Sequence, residues 1–179
     1  MLKMLINTLI VLAIIVVIPL FIALFIKREY RIQREIIINK PVHQVFDYVK
    51  YLKNQESYSK WVMMDPEMKK DYRGMDGTVG FIYAWNGNNK AGEGEQEIKS
   101  MVENKRLDIE IRFKRPFKGI ANTPLITDVV SENETRITWG MSGQYAYPMN
   151  LITLFIDSIL GKDLEISLNN LKTILETNK

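Results

Sequence analysis

The chain contains no cysteine and only one histidine, His43. Without thiols there is neither a disulfide nor a thiolate nucleophile, and one imidazole cannot build a metal site of several histidines. His43 stands beside the apolar face of a predicted helix, so we expect it to face solvent or the flank of that face. No nucleophile partner is evident for it. The sequence therefore predicts no metal and no other cofactor.

Long runs of one charge are also missing. The chain has 24 basic and 21 acidic side chains, a formal net charge of +3, and no five consecutive residues of like charge. A nucleic-acid-binding domain would carry a basic stripe, so nucleic acid is not an expected partner. The stretch "NGNNKAGEG" lacks the Gly-Lys-Ser/Thr of a phosphate-binding loop, and no serine has the context of a hydrolase nucleophile.

One long hydrophobic run is present, "LINTLIVLAIIVVIPLFIALFI" from Leu5 to Ile26. As a helix it covers about 30 Å, the hydrocarbon thickness of a bilayer. A cleaved signal peptide would have a shorter apolar region and a small-residue cleavage site, whereas Lys27 and Arg28 follow here. We therefore expect residues 1–29 to be an uncleaved single-pass membrane anchor with a basic juxtamembrane segment, and residues 30–179 to form one domain.

The distribution of basic residues predicts the orientation of this anchor. Before the run stand only Lys3 and the amino terminus, whereas five basic residues follow it closely: Lys27, Arg28, Arg31, Arg34 and Lys40. Because the side of a membrane helix richer in lysine and arginine stays in the cytoplasm, we expect the domain to face the cytoplasm.

Hydrophobic periodicity predicts an α+β domain. A strand at Tyr30–Asn39 is followed by a helix opening at Pro41, a short helix over Asn54–Trp61, a short strand near Met68–Tyr72 and further strands from Gly77 onwards. Their inward residues alternate with a period of two, as in half-buried antiparallel strands: Val79, Phe81, Tyr83 and Trp85, then Leu107, Ile109, Ile111 and Phe113, then Ile137, Trp139 and Met141. After Pro148 we expect one long helix with a leucine stripe at Leu164, Leu168, Leu171 and Leu175.

Several stretches resemble one known superfamily. They are "INKPVHQVFDYV", "YSKWV", "GTVGFIYAWNGN", "GEGEQEI", "FKRPF", "TRITWGMSG" and "GKDLEISLNNLK". They are similar to the START-like (SRPBCC) superfamily, in its polyketide cyclase/dehydrase and lipid-transport branch, over Tyr30 to Glu176. The resemblance implies a helix-grip fold, in which a curved antiparallel sheet wraps around a long C-terminal helix. It also implies a cavity under that helix for an apolar or amphipathic molecule.

Strand parity and this resemblance together predict which residues line the cavity. We expect apolar walls with a few polar groups, namely the Tyr83 hydroxyl, Gln96 and the indole N–H groups. The predicted lining residues are Trp61, Phe81, Tyr83, Trp85, Gln96, Ile109, Ile111, Phe113, Trp139, Met141 and Phe155. For each of them, a place in the ordinary core is the alternative.

The stretch "WNGNNKAGEGEQEI" holds the carboxylates that could suggest an active site. Glu93, Glu95 and Glu97 have the opposite parity to Ile98, so we expect them to face water as the outer side of a strand. A bulge near Gly92 could instead bring Glu93 or Glu95 to the cavity mouth. Glu95 and Tyr83 are therefore the two candidates for an acid or base.

Three functions remain open from the sequence. The first is a membrane-anchored domain that binds or transfers a lipid, isoprenoid or aromatic metabolite. The second is an enzyme of the polyketide cyclase/dehydrase or hydrolase kind, and the third is an interaction or stress-response module without a ligand. Because the shared motifs form the fold and carry no catalytic group, binding is favoured over catalysis. The apolar segment "MNLITLFIDSIL" is either a buried half of the last helix or a lid that touches the bilayer.

Overall fold

A seven-stranded antiparallel sheet forms the body of the protein in its computed structural model, which describes residues 1–177. The strands are β1 Glu29–Ile38, β2 Lys69–Arg73, β3 Ile82–Asn86, β4 Glu93–Val102, β5 Arg106–Arg115, β6 Gly119–Ser131 and β7 Glu134–Gln144. Their order in the sheet is β1-β7-β6-β5-β4-β3-β2, and every neighbouring pair is antiparallel. Residues 178–179 of the predicted domain lie outside the described part.

The helices are α1 Leu2–Ala23, α2 Val42–Val49, α3 Gln55–Tyr58, α4 Lys60–Met63 and α5 Lys162–Thr177, with 3-10 turns at Leu52–Asn54 and Met149–Leu154 and a π-helical turn at Asp157–Gly161. α5 packs against β1, α3 and α4. The predicted α+β order is confirmed: one strand, short helices, six further strands and a final helix against the sheet.

The core lies between the inner face of the sheet and the helices. Leu164, Leu168 and Leu171 of the predicted stripe are fully buried, as are Val45 and Val49 of α2. Removing a leucine side chain of this kind from water contributes about 1.5–3 kcal/mol. The predicted apolar faces of α2 and α5 are therefore the faces that hold these helices on the sheet.

Two predicted elements start or break differently from the expectation. The strand expected from Gly77 begins only at Ile82, because Gly77 and Gly80 have positive φ and turn the chain, which leaves Val79 exposed instead of inward. The short helix expected over Asn54–Trp61 is split into α3 and α4 at Ser59, whose backbone is extended. The amide of Lys60, which opens α4, donates to Ser167 Oγ at 2.9 Å.

The regular C-terminal helix begins at Lys162, later than Pro148 predicts. The preceding segment is held out of α-helical geometry by polar contacts. Arg34 donates to Asp157 Oδ1 at 2.9 Å in the π-helical turn and to Glu165 at 2.6 Å in α5. Gly161 is the last residue of this turn. A Cβ at this position would collide with the Arg34 guanidinium, so a glycine fits there.

The N-terminal helix spans Leu2–Ala23, so it begins and ends three residues before the predicted run Leu5–Ile26. Its end is set by Asn150, whose Nδ2 donates to the carbonyl oxygens of Ala23 at 2.6 Å and Ile26 at 2.8 Å. α1 has the length and the apolar composition of a membrane-crossing helix, and the rest of the protein leaves its most apolar stretch uncovered. A signal sequence has the same properties.

Candidate ligand cavity

A cavity of about 290 Å³ lies between the inner face of the sheet and the α3–α4 region. This volume is at the lower end of the range of about 300–1,000 Å³ found for small-molecule pockets. Eight of the eleven residues predicted from the sequence line it: Trp61, Tyr83, Trp85, Gln96, Ile111, Phe113, Trp139 and Met141.

The other three predicted residues lie elsewhere. Phe81 and Ile109 are 1% and 2% exposed and belong to the packed core outside the cavity wall. Phe155 is 61% exposed and points away from the core, because it follows the 3-10 turn rather than lying on a regular helix. Strand parity thus placed Phe81 and Ile109 correctly inside, and the assumption of a helix starting at Pro148 misplaced Phe155.

Aromatic side chains form the walls. The rings of Trp61 and Trp139 meet edge to face with centroids 5.9 Å apart, and Trp85 meets Phe113 in the same way at 6.2 Å. Two indoles are already hydrogen-bonded: Trp139 Nε1 donates to Thr123 Oγ1 at 2.7 Å and Trp85 Nε1 to the carbonyl of Ala91 at 3.1 Å. These two N–H groups are therefore not free for a ligand, contrary to the expectation.

Gly94 makes room for one of these walls. It lies opposite Trp85 in the β3–β4 pair, and a Cβ there would come within 2.7 Å of the Trp85 ring and of the Arg112 carbonyl oxygen. The glycine inside "GEGEQEI" thus lets the indole lie against the strand. The missing side chain of Gly94 therefore shapes the cavity, a role that the sequence pattern alone does not indicate.

The inner end of the cavity is polar but uncharged. Gln96 Nε2 donates to Gln55 Oε1 at 3.0 Å, and both side chains are buried. The hydroxyl of Tyr83 is buried and has no hydrogen-bond partner among the described residues. Burial raises the pKa of Tyr83, with the nearby Glu56 and Tyr72 adding to the effect, so the phenol stays neutral at physiological pH. Tyr83 can therefore donate a hydrogen bond but is a poor base.

The mouth of the cavity is formed by exposed residues from two turns that sequence reasoning did not identify. They are Lys90 of the β3–β4 turn and Arg115, Pro116, Phe117, Lys118 and Ile120 around the β5–β6 turn. We call this set the rim. No periodicity marks such turn residues in a sequence, because their place depends on how the strands end.

The rim lies at the end of the sheet from which α1 leaves. β1 starts there, β7 ends there, and Tyr30 stacks on Tyr145 with ring centroids 5.5 Å apart at the cavity wall. The amide of Tyr145 donates to the carbonyl of Arg28 at 2.9 Å, and the Tyr147 hydroxyl donates to Leu20 of α1 at 3.3 Å. The cavity mouth is therefore close to the C-terminal end of the apolar helix.

The candidate acid Glu95 lies on the opposite, outer face of the sheet and does not line the cavity. Arg112 Nε donates to Glu95 at 2.9 Å and Arg112 Nη1 to Glu97 at 2.7 Å, while Arg73 also contacts Glu95. Burial alone would raise the pKa of Glu95, but the hydrogen bonds from Arg112 and Arg73 outweigh it and lower that pKa. The register shift at Glu93/Gly94 does not turn Glu95 inward. The outer carboxylates thus form a half-buried ladder of ion pairs, rather than the simple water-facing row expected.

His43 is exposed on α2, away from the cavity. This is the position expected for a histidine flanking the apolar face of a helix. It therefore takes no part in the site.

No family sequence model and no curated protein sequence matches the chain. Solved structures do. Norcoclaurine synthase from Thalictrum flavum, in complex with dopamine and hydroxybenzaldehyde, is similar with a TM-score of 0.65 and 10% identity, over 84% of this chain and 88% of that one. The ZhuI aromatase/cyclase from Streptomyces sp. R1128 has a TM-score of 0.62 and 7% identity, over 83% and 94%. A protein of Mesorhizobium loti has a TM-score of 0.60 and 14% identity, over 84% and 99%. The domain therefore has the helix-grip fold of these solved structures, which is the fold that the sequence resemblance implied.

Proposed function

We propose that this chain is a single-pass membrane protein whose helix-grip domain binds or transfers an apolar or amphipathic small molecule. The observation that carries the proposal is the aromatic cavity whose mouth lies beside the C-terminal end of α1. Such a cavity stabilises a ligand by removing its apolar surface from water, at about 25 cal/mol per Å².

Binding is a better account of this cavity than catalysis. Among the described residues that line it, none is a carboxylate or a histidine. Inside the cavity, an acid–base step would depend on the phenols of Tyr83, Tyr30 and Tyr145, whose pKa values are raised by burial. Glu95 is held by arginines on the other face of the sheet. The aromatic ligands of the Thalictrum synthase belong to that protein, and they support a small organic ligand here only by analogy of fold.

The membrane anchor gives this binding a location. With α1 in a bilayer and the basic residues after it on the cytoplasmic side, the cavity mouth would lie close to the cytoplasmic headgroup layer. Tethering the domain raises the effective concentration of ligands dissolved in that membrane without any new contact. The ligand would then move between the bilayer and the cavity over a short distance.

The binding proposal is tested by filling the cavity. Ile111 lines it, whereas Ile82 lies on the outer face of β3, so Ile111→Trp and Ile82→Trp form a matched pair. Small molecules are extracted from the purified protein and identified by mass spectrometry. We expect an amphipathic compound in the extracts of the wild type and of Ile82→Trp. The same compound should be depleted in the extract of Ile111→Trp. A compound equally abundant in all three, or none in the wild type together with no thermal shift against a lipid panel, would contradict ligand binding in this cavity.

The orientation is tested separately. A reporter that functions only in the cytoplasm should be active when it is fused after Lys179. Activity restricted to the other side of the membrane would overturn the cytoplasmic placement while leaving the cavity proposal intact. Processing of the N-terminal segment, seen by intact-mass measurement, would overturn the anchor itself.

A further inference from the structure

The charged side chains that line the cavity all have one sign. Among the described residues that line it, the charged ones are Lys90, Arg115 and Lys118, and all three stand on the rim. The buried lining offers only neutral polar groups, from Tyr83, Gln96, Gln55, Ser59 and Thr123. The site is therefore neutral inside and positive at its mouth.

Arg115 has a structural use that leaves the two lysines uncompensated. It donates to Glu93 at 3.2 Å, to Asn86 Oδ1 at 2.7 Å and to the carbonyl of Gly87 at 3.0 Å. Glu93 thus pairs with Arg115, and also with Lys114 at 3.5 Å, so it has no charge left for the rim lysines. Within residues 1–177, neither Lys90 nor Lys118 has an acidic side chain at ion-pair distance.

The same contacts hold the two lysine-bearing turns in fixed relation. Arg115 ties the β3–β4 turn, through Asn86 and Gly87, to the end of β5 that leads to Lys118. Within the β3–β4 turn, Asn88 Oδ1 accepts the amides of Lys90 at 2.8 Å and Ala91 at 3.1 Å. Both lysines are therefore carried by turns whose backbones are positioned, although their side chains reach into water.

From this arrangement we infer that the ligand is an amphipathic anion. Its apolar part occupies the cavity, and its carboxylate, phosphate or similar group stays at the rim beside Lys90 and Lys118. A cleft lined by charges of one sign concentrates ligands of the opposite sign, because its low-dielectric walls focus the field. Moving an ionised group to the neutral inner end would be costly, so the anion remains outside while the tail is buried. The inference rests on the proposed function and specifies its ligand class.

The test uses the full-length protein in nanodiscs of zwitterionic lipid and a set of ligands with one tail. All three tryptophans of the chain line the cavity, so quenching of their fluorescence by a terminally brominated tail reports occupancy. The ligands are the brominated forms of decanoate, decanol and decylammonium, with partition into empty nanodiscs measured separately. We expect affinity to fall in that order.

Lysine variants then isolate the rim. Lys90→Gln and Lys118→Gln should each weaken decanoate binding by about threefold and together by about tenfold, as expected for exposed ion pairs. Decanol binding should change by less than about twofold, because an uncharged head forms no ion pair. Lys105→Gln is the matched control, since Lys105 lies in the β4–β5 turn at the opposite end of the sheet. At about 1 M salt, where the Debye length is about 3 Å, the advantage of decanoate over decanol should largely disappear.

The outcomes separate the inference from the function on which it rests. Equal binding of decanoate and decanol, unchanged by either rim variant, would overturn the anionic ligand but keep the cavity. Quenching by none of the three compounds would overturn both. An anionic phospholipid with brominated acyl chains, added to the nanodiscs, distinguishes the two sources of such an anion. If this phospholipid quenches the tryptophan fluorescence and the quenching depends on the same two lysines, the occupant is the membrane lipid itself. If only decanoate quenches, the occupant is a free amphiphile.

Discussion

The buried hydroxyl of Tyr83 leads to a prediction about Tyr83→Phe, whose effect on the free energy of unfolding should depend on whether a ligand is bound. Tyr83 is 1% exposed and its hydroxyl has no partner among the described residues. An unsatisfied buried hydroxyl costs about 1–3 kcal/mol, so Tyr83→Phe should raise the free energy of unfolding of the ligand-free protein by about 1 kcal/mol. For a chain of this size, that corresponds to a rise in Tm of about 2–4 °C.

Tyr58 supplies the matched control for this experiment. It is also fully buried with an unpartnered hydroxyl, but it lies in the core and does not line the cavity. Tyr58→Phe should therefore stabilise the protein to a similar extent whether or not ligand is present. For Tyr83→Phe the gain should shrink or reverse at saturation with a ligand that carries an oxygen at its inner end, such as ω-hydroxylated decanoate. A lost hydrogen bond of about 0.5–1.5 kcal/mol would weaken that ligand by about two- to tenfold.

The assay is thermal or urea unfolding of both variants with and without ligand, followed by titration. If Tyr83→Phe destabilises the ligand-free protein by about 1 kcal/mol or more, the hydroxyl is already satisfied and the reasoning fails. If decanoate and its ω-hydroxylated form lose affinity equally, the hydroxyl does not meet the ligand. Tyr58→Phe must stay neutral toward both ligands for either result to be interpretable.

Three further predictions concern the cavity wall, the outer face and the end of α1. Gly94→Ala should lower the free energy of unfolding by about 1–3 kcal/mol, because the added Cβ would overlap the Trp85 indole. Denaturant unfolding measures this loss. Gly119→Ala is the control, since nothing lies within 4 Å of a Cβ at that position. Arg112→Gln should lower the free energy of unfolding by about 1–2 kcal/mol at pH 7, because three ion pairs are lost. Asn150→Ala should raise the rate of tryptic cleavage after Lys27, because the chain at the end of α1 loses two hydrogen bonds.

The pH dependence of the Arg112 variant follows from the carboxylates that it contacts. Hydrogen bonds from Arg112 and Lys99, against opposing burial, lower the pKa of Glu97, and Arg112 with Arg73 lowers that of Glu95. A carboxylate with a lowered folded-state pKa adds stability above its unfolded pKa of about 4.3, and this stability is lost as the pH falls through the folded value. Wild type should therefore lose stability as the pH falls below about 4.3, and Arg112→Gln should lose less. Parallel curves for the two proteins would show that the ladder does not govern acid unfolding.

The Asn150 experiment needs a control for general loosening. Asn169 is an exposed asparagine of α5 whose side chain caps only a carbonyl within its own helix. Asn169→Ala should leave the rate of cleavage after Lys27 unchanged. Equal rates for wild type and Asn150→Ala would mean that the cap does not restrain this segment.

Periodicity predicted most of the fold because it reports which side of an element is buried. The alternation in β5 and the leucine spacing in α5 placed their inward residues correctly, since an exposed leucine stripe would have no stabilising partner. The same argument placed Trp85 and Gln96 on the inner face. Periodicity could not distinguish the cavity wall from the packed core. It therefore assigned Phe81 and Ile109 to the cavity wall, although both side chains belong to the packed core.

The errors and omissions have a different physical origin. The helix start at Pro148 was wrong because Asn150 and Asp157 are held by partners more than a hundred residues earlier in the chain, a tertiary effect that no local pattern records. The rim lysines were missed because turns have no period. The ion pairs on the outer face were missed because Arg112 meets Glu95 only once the strand register is known.

The cap that Asn150 places on the end of α1 bears on what kind of transport this protein could perform. A flexible tether would let a domain rotate and reach a facing membrane, whereas here the carbonyls of Ala23 and Ile26 are both held by one buried side chain of the domain. With α1 in a bilayer, the cavity mouth would keep a nearly constant height and tilt above that one leaflet. Such an arrangement suits extraction, sequestration or presentation of a molecule within a single membrane. Shuttling between two membranes would require breaking these two hydrogen bonds and the one from Tyr147 to Leu20.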